Sequence, residues 1–224
     1  MSTIKSILLT REAGSYKAVE RWCADRDIQL KQVPFIEVEA IVGLKIPPTD
    51  WIFFSSPKGA SSYLRHYSIH ANKIAALGTG TALVLKEAGL NLEFIGESTD
   101  EPERIRQKFN GLLPDNSFVF FPLGNLSKRS IVNEINPEKL KELITYKTLD
   151  QLHNLREKFD VILFTSPSNF NSFIQTNKIA NDTQIIAMGK TTEKAIQDYN
   201  TAFKLHTLTS PNEAALISLL ENLL

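Results

Sequence analysis

Two turns that join a hydroxyl group to a proline are the clearest candidates for chemistry in this chain. In each, an apolar run ends at serine and proline: WIFFSSPKG over residues 51–59 and VILFTSPSN over residues 161–169. Such runs, rich in β-branched and aromatic residues, predict buried strands. Ser56 and Ser166 suit helix N-caps, and the proline after each suits the first helical position. A helix N-terminus can hold an anion through its free N–H groups and its dipole, although capping alone also explains both turns.

Glycine and threonine cluster at two further turns, GTGT at residues 78–81 and GKTT at residues 189–192. Each turn places glycine after a predicted strand and hydroxyl groups at a predicted helix start. Neither is a Walker A loop, since the G-x-x-x-x-G-K-[ST] spacing is missing. The dinucleotide pattern G-x-G-x-x-G also fails, because Leu83 stands where its third glycine should be. A nucleotide site is therefore poorly supported, and carboxylates suit these turns at least as well as phosphates.

Other reactive side chains give weaker signals. The four histidines lack metal-ligand spacing with acidic or thiol partners, so we expect no metal site. No nucleophile elbow of the G-x-S-x-G type is present, so a Ser-His-Asp triad has no basis in the sequence. Tyr146 lies in an extended segment, where an ordinary strand tyrosine is the simplest interpretation.

Length and composition limit the class of protein. The chain has 224 residues, 42% of them apolar, which is ordinary for one large or two small globular domains. The formal net charge is zero, so no overall field favours nucleic acid or an anionic membrane surface. Cys23 is the only cysteine, which excludes an internal disulfide and a thiolate metal cluster. The N-terminus lacks the features of a signal peptide and no apolar run is long enough to span a membrane, so we expect a cytoplasmic protein.

The elements around these turns form an internal repeat. Predicted strands alternate with predicted helices, which indicates βαβ units and mostly parallel sheets. Three pairs of matching residues lie about 110 positions apart, a spacing typical of a duplicated domain rather than a solenoid. The pairs are Ser56 with Ser166, Gly78 with Gly189, and Thr99 with Thr209. We expect two sheets of about five strands each, with a cleft between them at the carboxyl ends of the strands.

One stretch of the chain is less regular than the rest. Phe118–Pro122 predicts a strand, and a polar loop follows over residues 123–129. We expect a helix from there to about Glu142. An extended segment that contains Tyr146 is then predicted over residues 143–149.

The order and spacing of these segments resemble the uroporphyrinogen-III synthase family over nearly the whole chain. The motifs that carry the resemblance are short, and only their combination is specific. They are LTR at 9–11, Pro34, FFSSP at 53–57, ALGTGTA at 76–82, FP at 121–122, YKT at 146–148, FTSP at 164–167 and AMGKTT at 187–192. The resemblance implies two similar α/β lobes, each a mostly parallel sheet flanked by helices. The lobes would be interleaved in sequence, residues 1–36 plus 150–224 and residues 37–149, and joined by two extended linkers.

The resemblance also implies a reaction. Hydroxymethylbilane would lose water and close into a ring, with inversion of its last pyrrole, to give uroporphyrinogen III. The hydroxyl on ring A leaves to form an azafulvene, ring D attacks through its substituted carbon, and the spiro intermediate fragments and recloses. No cofactor or metal is needed. The pyrroles supply most of the electronic push, so the protein, which we expect to be a monomer, mainly positions a flexible substrate with eight carboxylates.

Individual residues take their roles from the same resemblance. A tyrosine at the position of Tyr146 is the usual candidate for protonating the leaving hydroxyl. Hydroxyl residues of the four turns match positions that line the family's cleft: Ser56, Thr81, Ser166, Thr191 and Thr192. Position and charge make four cations candidates for carboxylate contacts: Arg11, Lys58, Lys147 and Lys190. Many relatives carry a basic residue where this chain has Leu123, which leaves a carboxylate contact there unsupported.

Two other functions fit parts of the pattern. A non-catalytic, two-lobed receptor for a small polyanion has the same fold class, but such receptors are usually exported and no signal peptide is recognisable. A nucleotide-using transferase would need phosphate loops that the glycine turns do not provide. The resemblance therefore favours the synthase.

Overall fold

The chain folds into two compact units, seen in a computed structural model that describes residues 4–96, 102–127, 129 and 131–224. Unit 1 combines the chain up to Glu37 with Asp150–Leu224, and unit 2 is Val38–Leu149. Thr99, one of the repeat markers, lies outside the described residues. The other two pairs of repeat markers, Ser56 with Ser166 and Gly78 with Gly189, lie within them.

Strands and helices alternate along most of the chain. The strands are β1 (Ser6–Leu9), β2 (Gln29–Gln32), β3 (Ile36–Ala40), β4 (Thr49–Phe54), β5 (Ala71–Leu77), β6 (Phe94–Gly96), β7 (Val119–Gly124), β8 (Leu140–Asp150), β9 (Val161–Phe164), β10 (Gln184–Ala187) and β11 (Lys204–Thr207). The α-helices are α1 (Lys17–Ala24), α2 (Pro57–His66), α3 (Thr79–Glu87), α4 (Pro102–Asn110), α5 (Pro167–Thr176), α6 (Lys190–Tyr199) and α7 (Glu213–Leu223). Two short 3₁₀ helices, Val132–Glu134 and Pro137–Lys139, precede β8.

Unit 1 is built on a parallel sheet in the order β11-β10-β9-β1-β2. Successive side chains of a strand point to opposite faces, so Ile7 and Leu9 join one apolar cluster and Leu8 joins another. Helices α1 and α7 cover the first face, and α5 and α6 cover the second. The central strands are consequently buried on both sides, as parallel sheets require.

Unit 2 is built on a six-stranded sheet in the order β3-β8-β7-β4-β5-β6. Phe53 packs on one face with α4 and the segment 131–135, and Phe54 packs on the other with α2 and α3. The strands β3 and β8, which are neighbours in this sheet, contain the two boundaries between the units. The chain therefore leaves unit 1 and returns to it through extended segments.

The predicted helix from the polar loop to about Glu142 is wrong. This stretch forms the two 3₁₀ helices and then the first residues of β8. Pro137 has no N–H for a helical hydrogen bond and disfavours a helical backbone at Asn136, which breaks an α-helix at this point. Ile131, Val132 and Ile135 are instead buried in the core of unit 2.

The predicted fold class is confirmed, since both units contain mostly parallel sheets flanked by helices. Most predicted elements lie within a few residues of the observed ones. Within the described ranges, every helix is too short or too polar to cross a bilayer.

Asp160, directly before β9, links this central strand of unit 1 to the start of its neighbour β1. Its Oδ2 accepts hydrogen bonds from Lys5 N at 2.8 Å, Ser6 N at 2.9 Å and Ser6 Oγ at 3.0 Å. Partial burial acts to raise the pKa of this carboxyl, but the hydrogen bonds together outweigh it and hold the pKa below its usual value. The interaction therefore stabilises the folded state with the carboxyl ionised.

We expect Asp160→Asn to lower the free energy of unfolding by about 1 kcal/mol at pH 7, a modest value because the group is partly exposed. A carboxyl with a lowered folded-state pKa stabilises the fold above its unfolded pKa, about 3.9, and loses that contribution as the pH falls through the folded value. The difference between variant and wild type should therefore shrink from pH 7 to pH 3. Urea titrations at several pH values measure it, with the exposed Asp182→Asn as the matched control. An equal difference at both ends of this range would contradict the assignment.

Candidate active site

Both serine–proline turns cap helices as predicted. Ser56 has an extended backbone, and its Oγ accepts a hydrogen bond from Gly59 N at 3.0 Å at the start of α2. Ser166 does the same for α5, with its Oγ 3.2 Å from Asn169 N. Each serine lies two residues after a buried strand end, Phe54 or Phe164, so both turns lie at the carboxyl edge of their sheets.

The two turns differ at the third helical position. In unit 1 this residue is Asn169, whose Nδ2 donates to Thr165 Oγ1 at 3.2 Å and to Ser166 Oγ at 3.0 Å. Its Oδ1 accepts from Phe35 N at 2.9 Å, and the whole residue is buried. The amide side chain thus closes the turn of unit 1 with internal hydrogen bonds. In unit 2 the equivalent residue is Gly59, which leaves this space open.

The ring of Tyr146 occupies the open space in unit 2. Its hydroxyl lies 3.1 Å from Ser56 Oγ, within hydrogen-bond distance. A Cβ atom added to Gly59 would lie 2.9 Å from the Tyr146 ring, and one added to Gly124 would lie 2.5 Å from it. Both distances are too short for a side chain, so the two glycines are needed for the ring to sit here. We call Ser56, Gly59, Gly124 and Tyr146 the tyrosine site.

A β-bulge between β7 and β8 directs the side chain of Tyr146 into the space beside Gly59. Leu123 pairs with Ile144, but Gly124 pairs with Tyr146, so β8 carries one extra residue at Thr145. Bulges of this kind redirect side chains and are common beside active sites. Asn125 fixes the bulged end, since its N donates to Tyr146 O at 3.2 Å and its Oδ1 accepts from Thr148 N at 2.8 Å.

The glycine–threonine turns begin α3 and α6, but their inner threonines are buried. Gly78 has a positive φ of 78°, which favours glycine, and caps α3. Thr81 and Thr192 occupy the third helical positions and expose only 1% and 2% of their surfaces. Both threonines are therefore buried in this structure, and the substrate contact that the resemblance implied for them stays a prediction. Thr191, one position earlier, is exposed.

The first turns of α2 and α3 lie side by side in unit 2. A Cβ atom added to Gly80 would lie 3.4 Å from Pro57 Cγ, an ordinary contact distance. The structure thus brings two helix N-termini close to Tyr146 and Ser56. Free N–H groups and helix dipoles make such a place favourable for negative charge.

The four predicted cations divide evenly between the units. In unit 1, Lys190 is exposed, and the guanidinium of Arg11 lies 5.9 Å from the ring centroid of Tyr16 with Nε 3.8 Å from Glu12 Oε2. Burial raises the pKa of the Tyr16 hydroxyl, although Arg11 opposes the shift. In unit 2, Lys58 is half-buried and Lys147 is exposed directly after Tyr146. Each unit therefore carries two cations near its turns.

No three His, Cys, Asp or Glu side chains come together as metal ligands would, in the part of the chain that the structure describes. The chemistry visible at the tyrosine site is that of hydroxyl groups, backbone N–H groups and helix ends. This arrangement can donate hydrogen bonds and protons and can stabilise an anion.

Sequence reasoning missed the residues that shape the tyrosine site, namely Gly59, Gly124 and Asn125. A signal for Gly59 was present, because a glycine inside a helical pattern often marks a close approach by another group. Comparison of the two repeats also pairs Gly59 with Asn169, a difference at an otherwise similar turn. The Gly124 and Asn125 contacts depend on the bulge, which left no recognisable sequence signal.

Known proteins resemble this chain along nearly its whole length. A uroporphyrinogen-III synthase of Chlorobaculum parvum is 24% identical over 87% of this chain and 89% of its own length. The crystal structure of uroporphyrinogen-III synthetase from Helicobacter pylori aligns with a TM-score of 0.65 at 16% identity, covering 99% of this chain and 100% of that one. A mutant uroporphyrinogen III synthase from Thermus thermophilus aligns with a TM-score of 0.59 at 14% identity, covering 98% of both chains. At these identities the two solved structures support the fold.

Membership of a family follows from the sequence as a whole. The model of the family uroporphyrinogen-III synthase HemD matches residues 20–216, which include both serine–proline turns, both glycine–threonine turns and Tyr146. The chain therefore belongs to the uroporphyrinogen-III synthase family.

Proposed function

We propose that this chain converts hydroxymethylbilane into uroporphyrinogen III, as a cyclising lyase of tetrapyrrole biosynthesis. Family membership supports the reaction class. The observation that carries the proposal is the Tyr146 hydroxyl, held 3.1 Å from Ser56 Oγ beside two helix N-termini. A non-catalytic polyanion receptor would have no use for a phenol fixed by a bulge and two glycines.

Tyr146 is the proposed general acid. Its hydroxyl proton moves to the hydroxyl on ring A of the substrate as the carbon–oxygen bond breaks, and water leaves. The pyrrole nitrogen supplies electrons to the carbon left behind and keeps its proton, which forms the azafulvene in its protonated, cationic form. Tyr146 then carries the negative charge, which the nearby helix N-termini favour.

Ring closure needs orientation more than further proton transfer. Ring D attacks the azafulvene through its substituted carbon, and the spiro intermediate fragments and recloses with ring D inverted. The substrate loses a proton as ring D regains aromaticity, and that proton restores the Tyr146 hydroxyl, directly or through solvent. The balance over the cycle is the loss of one water molecule. Holding the two ends of the linear tetrapyrrole close together accounts for the rest of the rate enhancement.

The substrate carboxylates need cationic and N–H partners. Arg11 and Lys190 in unit 1 and Lys58 and Lys147 in unit 2 are the proposed cations, with Ser166 and Thr191 as hydroxyl contacts. These local charges contrast with a formal net charge of zero for the chain. The recognition we propose is therefore local to the turns and does not depend on an overall field.

The proposal extends to a monomer that acts in the cytoplasm. Cys23, the only cysteine of the chain, is free and buried, and burial raises the pKa of its thiol to about 11. Such a thiol is unreactive, which suits a structural role in a reducing compartment.

The direct test supplies freshly made hydroxymethylbilane to the purified chain and separates the oxidised porphyrin isomers by chromatography. We expect mainly the type III isomer, formed faster than the spontaneous reaction. Type I product at the spontaneous rate would overturn the synthase proposal. If the substrate still bound tightly in that case, the polyanion receptor would become the better interpretation.

Tyr146→Phe should lower turnover by about 10- to 100-fold, up to the lower end of the usual contribution of a general acid. The ring is kept, so the thermal unfolding midpoint should change little. Tyr199→Phe, at an exposed tyrosine of unit 1, is the matched control and should retain the wild-type rate. An unchanged rate and isomer ratio in Tyr146→Phe would remove this residue from the mechanism.

Gly59→Ala tests whether the position of the ring matters. Alanine favours a helix more than glycine does, so α2 should not be weakened. The new Cβ, however, would lie 2.9 Å from both Ser56 Oγ and the Tyr146 ring, which must move. We expect turnover to fall by roughly 10- to 100-fold, the scale of an error of about 1 Å in positioning. Gly111→Ala, where the nearest atoms are at 3.5 Å, is the control, and equal activity of the two variants would contradict this explanation.

A further inference from the structure

We propose that Ser56 is a positioning residue whose hydroxyl donates a hydrogen bond to the Tyr146 oxygen as Tyr146 protonates the substrate. The inference rests on the proposed function and assigns to Ser56 a task beyond helix capping and carboxylate contact. It identifies the group that stabilises the charged form of the general acid.

The hydrogen bonds around Ser56 define what its hydroxyl can do. A serine hydroxyl has one proton to donate and two lone pairs to accept with. One lone pair of Ser56 Oγ is used by Gly59 N at 3.0 Å. The proton and the second lone pair remain for the Tyr146 hydroxyl at 3.1 Å, and either oxygen can be the donor.

Only one of the two donor–acceptor arrangements between Ser56 and Tyr146 is possible after Tyr146 has given up its proton. Before the reaction, Tyr146 can donate to Ser56 or accept from it. If it accepts, its own proton is free to be given to the leaving hydroxyl of the substrate. Once Tyr146 has lost that proton, its oxygen can only accept, and Ser56 must be the donor. Ser56 itself stays neutral and passes no proton on.

The hydrogen bond is therefore stronger in the transition state than in the resting enzyme. A hydrogen bond to an ionised oxygen is roughly twice as strong as one between neutral groups. Interactions that strengthen only in the transition state raise the turnover number rather than substrate affinity. The Gly59 N–H, at the first turn of the ten-residue helix α2, keeps Ser56 Oγ in place throughout.

Unit 1 shows that a serine cap does not need this geometry. Ser166 caps α5 through Asn169 N, but its second partner is the Asn169 side-chain amide at 3.0 Å. That amide is a donor, so it uses the remaining lone pair of Ser166 inside the unit. In unit 2 a tyrosine takes the place of the amide. The serine cap of unit 1 therefore bonds to a neighbouring amide of its own turn, whereas the serine cap of unit 2 lies within hydrogen-bond distance of Tyr146, the proposed proton donor.

The test is a double-mutant cycle on the turnover number with hydroxymethylbilane. Ser56→Ala should lower kcat by roughly 5- to 30-fold, the size expected for the gain when a hydrogen bond between neutral groups becomes one to a charged group, and should change KM by less than about twofold. Adding Ser56→Ala to Tyr146→Phe should cause no further loss, because no tyrosine oxygen remains to be stabilised.

Matched variants separate this effect from the loss of a helix cap. Asn212→Ala removes the cap of α7, where Asn212 Oδ1 accepts from Ala215 N at 2.9 Å, and should leave kcat unchanged. Ser56→Gly removes the hydroxyl at a cost to the cap of only a few tenths of a kcal/mol, so it serves if Ser56→Ala does not fold. Its kcat should match that of Ser56→Ala.

Two results would overturn the inference. One is a kcat for Ser56→Ala or Ser56→Gly that equals that of Asn212→Ala. The other is a loss in the double variant that equals the product of the two single losses, which would show that the residues act independently. In both cases the wild type would still make the type III isomer, and the proposed function would stand. A wild type that makes only type I product would instead end the proposed function.

Discussion

The central strands of both sheets are buried on both faces, and this constraint decides where polar chemistry can occur. Strands β7 and β9 are buried at every position, and their side chains are almost all apolar. A buried polar group without a partner is costly, so hydroxyls and charges collect where the strands end. Parallel strands end together, which puts the turns after β4, β5, β9 and β10 at the carboxyl edges of their sheets. Ligand contacts in open α/β sheets arise at these edges for the same reason.

Each unit has a serine cap at an equivalent position of the repeat, and the two caps differ in their second hydrogen-bond partner. In unit 1 the buried Asn169 ties the cap to Phe35 N, close to the point where the chain passes to unit 2. In unit 2 Gly59 lacks the side chain for those hydrogen bonds, and the ring of Tyr146 from β8 occupies the space. Glycine within a helix costs roughly 1 kcal/mol relative to alanine. That local cost places the Tyr146 hydroxyl beside Ser56.

Local chemistry explains which features could be predicted from the sequence. The caps at Ser56 and Ser166 follow from residue type, neighbouring proline and the preceding apolar run, all within a few positions. The tyrosine site could not be derived in this way, because Ser56 and Tyr146 are 90 residues apart and the bulge at Gly124 has no local signature. The family resemblance pointed to Tyr146 but did not predict its hydrogen bond with Ser56. The burial of Thr81 and Thr192 was not predicted, because residue type alone does not show that the third helical position packs against the core. The helix expected up to Glu142 failed because Pro137 outweighed an otherwise helical composition.

A neutral partner for Tyr146 suits a substrate with eight carboxylates. A cationic side chain in the place of Ser56 would be attracted to those carboxylates and drawn away from the tyrosine. An anionic one would repel the substrate and would also oppose negative charge on Tyr146. A serine hydroxyl does neither, and its hydrogen bond strengthens only when the tyrosine becomes charged. The cap holds Ser56 Oγ in advance, so little reorganisation is needed when the proton moves, and such preorganised dipoles are effective in catalysis. The proposed cations, by contrast, lie at exposed or half-buried positions outside the tyrosine site. The separation of a neutral proton-donating site from the charges proposed to bind carboxylates is the physical logic that we assign to unit 2.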